Sequence, residues 1–123
     1  MPLTDRELDQ RRRALQRGNA TRIARAQLKA RIAADFTYRT PIAVLRAPTD
    51  ELEEPLVGMR VWDVVRAAPR CGEQRTRRLL RIADLHYRER TITLAELDAR
   101  RRRILIGQFR SLAERFATEM VAA

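Results

Sequence analysis

The sequence of 123 residues contains one cysteine, Cys71, and one histidine, His86. A single cysteine cannot form a disulfide within the chain, and these two side chains cannot supply the ligand set of a zinc site. The acidic pair Glu53 and Glu54 lacks a histidine, serine or cysteine partner with which to form a catalytic group. We therefore expect a reducing compartment, no metal, no cofactor, no small-molecule substrate and no enzymatic activity.

Aromatic residues are also scarce, at 5% of the chain, although hydrophobic residues make up 45%. A core built from leucine, isoleucine, valine and alanine is typical of packed helices. No stretch approaches the roughly 18 consecutive apolar residues of a membrane-spanning helix, and no signal-like apolar region is present. The sequence thus predicts an all-α protein with one packed core, located in the cytoplasm and, in a bacterium, on the nucleoid.

Lysine is nearly absent, since Lys29 is the only one among 26 basic residues. Against 16 acidic residues, the arginines leave a formal net charge of +10. Guanidinium groups form planar forks that match phosphate oxygens, and clustered basic residues are typical of nucleic-acid-binding proteins. An anionic membrane would also attract this charge, but the basic helices lack the apolar face of an interfacial anchor. The composition therefore favours nucleic acid as the partner.

Two capping-box patterns, Thr4 with Glu7 and Thr93 with Glu96, predict where the first and last helices begin. The first helix should start near Asp5 and extend to Ala34, with an interruption at residues 18–19 because glycine costs about 1 kcal/mol inside a helix. We expect the part before the interruption to be mobile without a partner. The last helix should continue to about residue 120 along an apolar seam. That seam comprises Leu97, Ile104, Leu105, Phe109, Leu112, Phe116 and Met120.

The segment between these helices contains shorter elements. Thr40 and Pro41 predict the cap and first position of a short helix over residues 42–47, and an acidic connector follows over residues 48–55. Two stripes with helical spacing then predict two amphipathic helices, the first ending at Pro69. The first stripe is Val61, Val64, Val65 and Ala68, and the second is Thr76, Leu79, Leu80, Ile82, Ala83 and Leu85.

The turn between the amphipathic helices, residues 69–72, is the candidate anion site. The first N–H groups of the helix that begins at Glu73 have no intrahelical partner, and the helix dipole is positive at that end. Gly72 lets a phosphate approach the backbone, and Arg70 and Arg75 flank the site. Cys71 is interpreted as a small turn residue in preference to a redox-active thiol.

Three further groups are interpreted from their surroundings. Trp62 is interpreted as a core residue beside the valine stripe in preference to a base-stacking wedge. The arginines at positions 100–103 span a full helical turn, so only one or two of them can face one phosphate backbone. We expect the others to be solvated or paired with Glu96 and Asp98 on the same helix. His86 follows a helix end and is assigned no chemistry.

The order of these parts resembles that of the actinobacterial integration host factors, which are small nucleoid proteins with a helix-two-turns-helix fold related to ribosomal protein S13. The similar parts are the basic helix RIARAQLKARI at residues 22–32, IAVL at 42–45, VGMRV at 57–61, APRCG at 68–72 and a basic last helix. The resemblance covers about residues 23–109. It implies a basic N-terminal helical arm over residues 1–36, an S13-like helix-two-turns-helix domain over 37–109, and a C-terminal helical extension over 110–123.

The resemblance also implies sequence-nonspecific binding of duplex DNA by a nucleoid-associated architectural protein, encoded by a cell or a phage. The implied DNA-binding residues are Arg22, Arg25, Lys29 and Arg31 on the arm, Arg70, Cys71, Gly72 and Arg75 at the turn, and Arg78 and Arg101 beyond it. The chain departs from the family pattern at three places. Residues 91–94 replace a glycine-bearing basic turn, Glu73 replaces a position that is often basic, and residues 110–123 extend past the usual end.

Two other functions remain open at this stage. The relation to a ribosomal protein allows binding of structured RNA. The long last helix allows a helical assembly protein, so the chain is either a monomer or self-associates through its C-terminal helix. No membrane partner is expected.

Overall fold

The computed structural model describes residues 2–122, without the side chains of residue 49 and residues 120–122. This part of the chain is all-helical, and it contains no strand. Its six α-helices are α1 (Asp5–Ala34), α2 (Arg39–Arg46), α3 (Glu54–Val57), α4 (Val61–Ala67), α5 (Glu73–Ile82) and α6 (Ala99–Ala122). Short 3-10 turns lie at Thr49–Glu51, His86–Arg88 and Leu94–Glu96.

Helix α1 begins as predicted, because Thr4 and Glu7 form both hydrogen bonds of a capping box, each 3.2 Å long. The predicted interruption at residues 18–19 is wrong, since α1 is one helix of 30 residues. Gly18 has no positive φ, and the cost of about 1 kcal/mol for one glycine is small for a helix anchored elsewhere. The anchor is the last part of α1, where Leu28 and Ile32 are buried.

Helix α2 begins three residues before the predicted start, so the assignment of Thr40 and Pro41 as cap and first position is wrong. The residue before the helix, Tyr38, has a left-handed backbone with φ of 61°. The carboxylate of Asp35 instead accepts hydrogen bonds from the backbone and hydroxyl groups of both Thr37 and Thr40. Pro41 remains within the first turn, where its missing N–H leaves no hydrogen bond unmade.

The two central stripes form the predicted amphipathic helices. In α4 the residues Val61, Val64 and Val65 are fully buried, and Trp62 is 6% exposed, as expected for a core tryptophan. In the second stripe Ile82 departs from the prediction, because it is 58% exposed at the end of α5. The other members of that stripe are buried, namely Thr76, Leu79, Leu80, Ala83 and Leu85.

Helix α6 begins at Ala99, later than predicted from the capping box at Thr93 and Glu96. That capping box is present, but it caps the short 3-10 turn Leu94–Glu96. Asp98 then accepts the Arg101 N–H at 2.8 Å and caps α6 itself. Backbone bonds hold the chain around Thr93 against the residues that lead into α4. The N–H of Val61 donates to the carbonyl of Ile92, and the N–H of Leu94 donates to the carbonyl of Met59.

Among the described residues, one hydrophobic core runs from the second half of α1 to α6. It includes Leu28 and Ile32 from the predicted arm and Leu112 and Phe116 from the predicted extension. The packing therefore continues across the predicted boundaries at residues 36/37 and 109/110. No helix between residues 2 and 122 has both the length and the apolar character to cross a bilayer.

Arg102 ties three segments together from inside this core. Arg102 is 8% exposed, and its side chain donates hydrogen bonds to backbone carbonyl oxygens, four of them on residues whose side chains the structure describes. These belong to Leu45, Ala47, Leu94 and Leu97, at 3.1, 2.6, 2.7 and 2.9 Å. Burial lowers the pKa of Arg102, and nearby Asp98 opposes that effect. One member of the arginine run is thus a structural residue.

Candidate nucleic-acid interface

The turn between α4 and α5 has its tightest backbone at Arg70, whose φ of 62° is left-handed. The N–H of Cys71 closes the turn by donating to the carbonyl of Ala68 at 3.1 Å. Gly72, the residue on which the sequence argument depended, has an ordinary φ of −68° and is the N-cap of α5. The backbone conformation at this position therefore does not require glycine. Because glycine has no side chain, it leaves the backbone accessible to a phosphate.

Two hydrogen bonds to backbone carbonyl groups of the turn, those of Pro69 and Cys71, hold it in place. The Tyr38 hydroxyl donates to the carbonyl of Pro69 at 2.7 Å, and both residues are buried. Cys71 is 2% exposed, and its carbonyl accepts from Arg66 at 3.2 Å. Burial raises the pKa of the Cys71 thiol to about 11, although Arg75 and Arg66 lower it in part. The thiol is therefore neutral near pH 7, which supports its interpretation as a turn residue.

This geometry corrects one predicted contact. Cys71 was expected to meet phosphate through its backbone, but its N–H is already bonded inside the turn and its side chain is buried. Gly72, in contrast, is exposed, and a Cβ added there would meet no atom within 4 Å. The accessible backbone donors therefore begin at Gly72 and continue into the first turn of α5.

Four of the predicted DNA-binding residues line one shallow depression of about 420 Å³ at the start of α5. They are Arg70, Gly72, Arg75 and Arg78, and Glu73 and Gln74 complete the lining. Arg75 donates to the carbonyl of Arg70 at 2.9 Å, which holds its side chain against the turn. The turn and the first turns of α5 thus place three arginine side chains beside the helix N–H groups that lack an intrahelical partner, and this arrangement can bind an oxyanion.

Glu73 is the one carboxylate among the residues that line the depression, and it is paired with two arginines from outside the lining. Its Oε1 lies 2.8 Å from Arg90 and 3.2 Å from Arg77. Because both partners are positively charged, Glu73 opposes an approaching phosphate less than an unpaired carboxylate would. The sequence showed Glu73 as a departure from the family pattern but did not show its two partners.

The predicted arm residues do not form one surface. Arg22 and Lys29 are exposed on the same side of α1. Arg31 lies nine residues from Arg22, about two and a half helical turns, and so faces the other way. It lines a groove with Glu53 of the acidic connector. Among the described residues, no hydrogen bond or ion pair joins these three cations to the turn.

Arg25 and Arg101 are engaged inside the molecule. The Nε of Arg25 donates to the carbonyl of Pro55 at 2.8 Å and so ties α1 to α3. Arg101 contacts the carboxylates of Asp98 at 3.0 Å and Asp84 at 3.6 Å, and its side chain is only 22% exposed. Both guanidinium groups thus make contacts within the protein. Pairing of the arginine run with nearby Asp98 was expected from sequence, whereas nothing in the sequence indicated the contacts with Pro55 and Asp84.

Within residues 2–122 no group of three or more histidine, cysteine, aspartate or glutamate side chains could hold a metal ion. The chain matches no protein family, no characterised protein and no solved structure at a significant level. The resemblance to integration host factors therefore stays a prediction, and the case for function depends on the geometry of the depression.

Proposed function

We propose that this protein binds the phosphate backbone of duplex DNA without sequence specificity and without enzymatic activity. The observation that carries the proposal is the convergence of Arg70, Gly72, Arg75 and Arg78 on one exposed depression at the start of α5. Their positions were predicted from sequence as phosphate contacts. Convergence of such groups on an open surface is what a phosphate site requires.

We also propose a specific fold type and a specific role on DNA. The α4–turn–α5 unit, with α6 behind it, is proposed to be a helix-two-turns-helix domain of the S13-like type. The exposed first half of α1 carries Arg11, Arg12, Arg13 and Arg17 and is proposed to contact a neighbouring stretch of backbone. A protein that engages two stretches of one duplex can bend or compact it, which is the action of a nucleoid-associated architectural protein.

The affinity should come mainly from counterion release, because the surface is rich in guanidinium groups and offers phosphate contacts. The first test is therefore a binding titration with a random duplex of about 20 base pairs over about 50 to 200 mM salt. We expect steep weakening with salt, and equal competition from unrelated duplex sequences. A duplex RNA competitor that binds much more tightly than DNA would favour the structured-RNA function.

The second test removes two charges from the depression by Arg70→Gln with Arg75→Gln. Each lost phosphate contact should lower the slope of log affinity against log salt by about 0.9, so the double variant should lose about 1.8. The matched control is Arg110→Gln with Arg115→Gln, which removes the same charge from exposed positions of α6. Equal binding by the two double variants would remove the turn from the proposal.

Assembly through the last helix has less support from the structure. The apolar seam of α6 already packs inside the chain, where Leu105, Phe109, Leu112 and Phe116 are all buried. That face is therefore not available for a second copy without unfolding part of the core.

A further inference from the structure

The last turns of α6 lie against the anion depression. They belong to the segment that extends past the usual end of the integration host factors, which the sequence resembles. Phe116 is 7% exposed, and the guanidinium of Arg70 lies 4.2 Å from the centre of its ring. The guanidinium of Arg75 lies 5.5 Å from the same ring. Phe116 itself packs on Tyr38, with ring centres 6.2 Å apart. An aromatic surface thus lies beneath two of the three arginines in the depression.

One helical turn further, Glu119 makes an ion pair with this site. Its Oε2 lies 2.9 Å from the Nη1 of Arg70, and the two side chains are 53% and 46% exposed. The other described carboxylate of α6, that of Glu114, makes no ion pair within the described residues. Glu119 therefore places a negative charge on one of the three arginines that line the depression.

We propose that Glu119 is an internal competitor for DNA: its carboxylate occupies, on Arg70, the place that a phosphate oxygen takes when DNA binds. This inference rests on the proposed function. Carboxylate and phosphate oxygens use the same N–H donors of a guanidinium fork, so one donor cannot fully serve both. The C-terminal turns of α6 thereby reduce the affinity of the depression for phosphate and set how readily the protein leaves DNA.

The exposure of the pair makes the exchange possible. Exposed ion pairs contribute little stability, so an incoming phosphate can displace Glu119 at low cost. Arg70 does not become free when this happens, because its guanidinium still stacks on Phe116 and its backbone still accepts a hydrogen bond from Arg75. The cation is therefore held ready for the phosphate while the carboxylate moves away.

The opposite role would be positioning, in which Glu119 holds Arg70 in the orientation that DNA needs. The two roles predict opposite signs for Glu119→Gln, since removing a competitor strengthens binding and removing a positioning partner weakens it. The matched control is Glu114→Gln, which makes the same charge change on the same exposed helix.

The experiment measures affinity for a fluorescent random duplex of about 20 base pairs by anisotropy, using the full chain. At about 50 mM salt we expect Glu119→Gln to bind about two- to fivefold more tightly than wild type, in line with the strength of an exposed ion pair. The gain should exceed that of Glu114→Gln and should shrink as salt screens the charges. In an Arg70→Gln background, Glu119→Gln should give no more than the control gain.

Each other outcome overturns the inference. If Glu119→Gln binds no more tightly than Glu114→Gln, or more weakly than wild type, Glu119 is not a competitor. If its extra gain persists without Arg70, the effect is one of general charge. If wild type and variants all fail to bind duplex DNA while remaining folded by circular dichroism, the proposed function is wrong and the competition falls with it.

Discussion

The guanidinium of Arg90 lies 3.7 Å from the centre of the Trp62 ring while it also donates to Glu73 at 2.8 Å. A cation thus covers the outer face of the only tryptophan in the chain. The arrangement joins the core of α4 to the start of α5, where the anion depression lies. It also explains why Trp62 is not free to stack on a base.

The first prediction follows from the position of the Arg90 guanidinium over the Trp62 ring. Arg90→Gln should expose the Trp62 ring, shift its fluorescence emission to longer wavelength and increase quenching by acrylamide. A cation–π contact contributes about 0.5–1 kcal/mol at exposed sites, so the free energy of unfolding should fall only slightly. Arg81→Gln is the control, since Arg81 is exposed on the same helix as Glu73. Identical spectra for both variants would contradict the contact.

The second prediction concerns the hydrogen bond beneath the turn. Tyr38→Phe keeps the ring but leaves the buried carbonyl of Pro69 without its donor. An unsatisfied buried acceptor costs about 1–3 kcal/mol, and urea denaturation should show a loss of that size. Tyr87→Phe is the control, because Tyr87 is 59% exposed. A loss no larger than that of the control would mean that the hydroxyl does not hold the turn.

The third prediction separates the roles of neighbouring arginines. Arg102→Met should lower the free energy of unfolding by at least about 3 kcal/mol, because four carbonyl groups lose a donor at once. Arg103→Met, one position along and exposed, should change it by less than about 0.5 kcal/mol. Thermal and urea denaturation measure both. Similar stabilities of the two variants would show that Arg102 does not tie the core together.

The fourth prediction is a dependence of stability on pH through Asp35. Burial raises its pKa, but hydrogen bonds from the side chains and backbone of Thr37 and Thr40 outweigh burial and hold the pKa well below its usual range. The unfolded chain therefore takes up the proton first as pH falls. The stabilisation is complete above the unfolded pKa of about 3.9 and is lost progressively below it.

Asp35→Asn should therefore be less stable than wild type near neutral pH by about 1–3 kcal/mol, because its amide nitrogen cannot accept the hydrogen bonds that Oδ2 accepts from Thr40. The difference should shrink as pH falls below about 4. Urea midpoints over this pH range provide the measurement, and Asp9→Asn on the exposed face of α1 is the control. A difference between Asp35→Asn and wild type that stays constant with pH would contradict the assignment.

The fifth prediction tests the continuity of α1. A Cβ added at Gly18 would meet no atom within 4 Å, and Gly18 has no positive φ. Gly18→Ala should therefore stabilise the helix by about 0.5–1 kcal/mol and increase the circular dichroism signal at 222 nm. If Gly18→Ala lowers helicity, the helix is interrupted there after all, as the sequence alone had indicated.

Local signals in the sequence were accurate where one residue and its near neighbours decide the structure. The capping box of Thr4 and Glu7 forms, α5 begins at Glu73, and the valine stripe of α4 faces the core. Each depends on the spacing of residues within one or two helical turns, so the local sequence is enough to predict it. The signal at Thr40 was misplaced because its backbone and hydroxyl groups donate to the carboxylate of Asp35. The capping box at Thr93 forms, but long-range backbone bonds on either side of Thr93 accompany a short 3-10 turn there, and α6 begins later.

The helical character, the large positive charge and the basic turn before α5 can be read from the sequence, because they follow from composition and short-range spacing. Which cations remain available to a partner depends on the packing of the helices. This packing turned Arg25 to the carbonyl of Pro55, Arg101 to the carboxylate of Asp84 and Arg102 to the carbonyl of Leu45. It also brought Glu119 to Arg70 across 49 positions of chain. Such pairings depend on how helices pack, and no local pattern of residues encodes the distance between two side chains far apart in sequence.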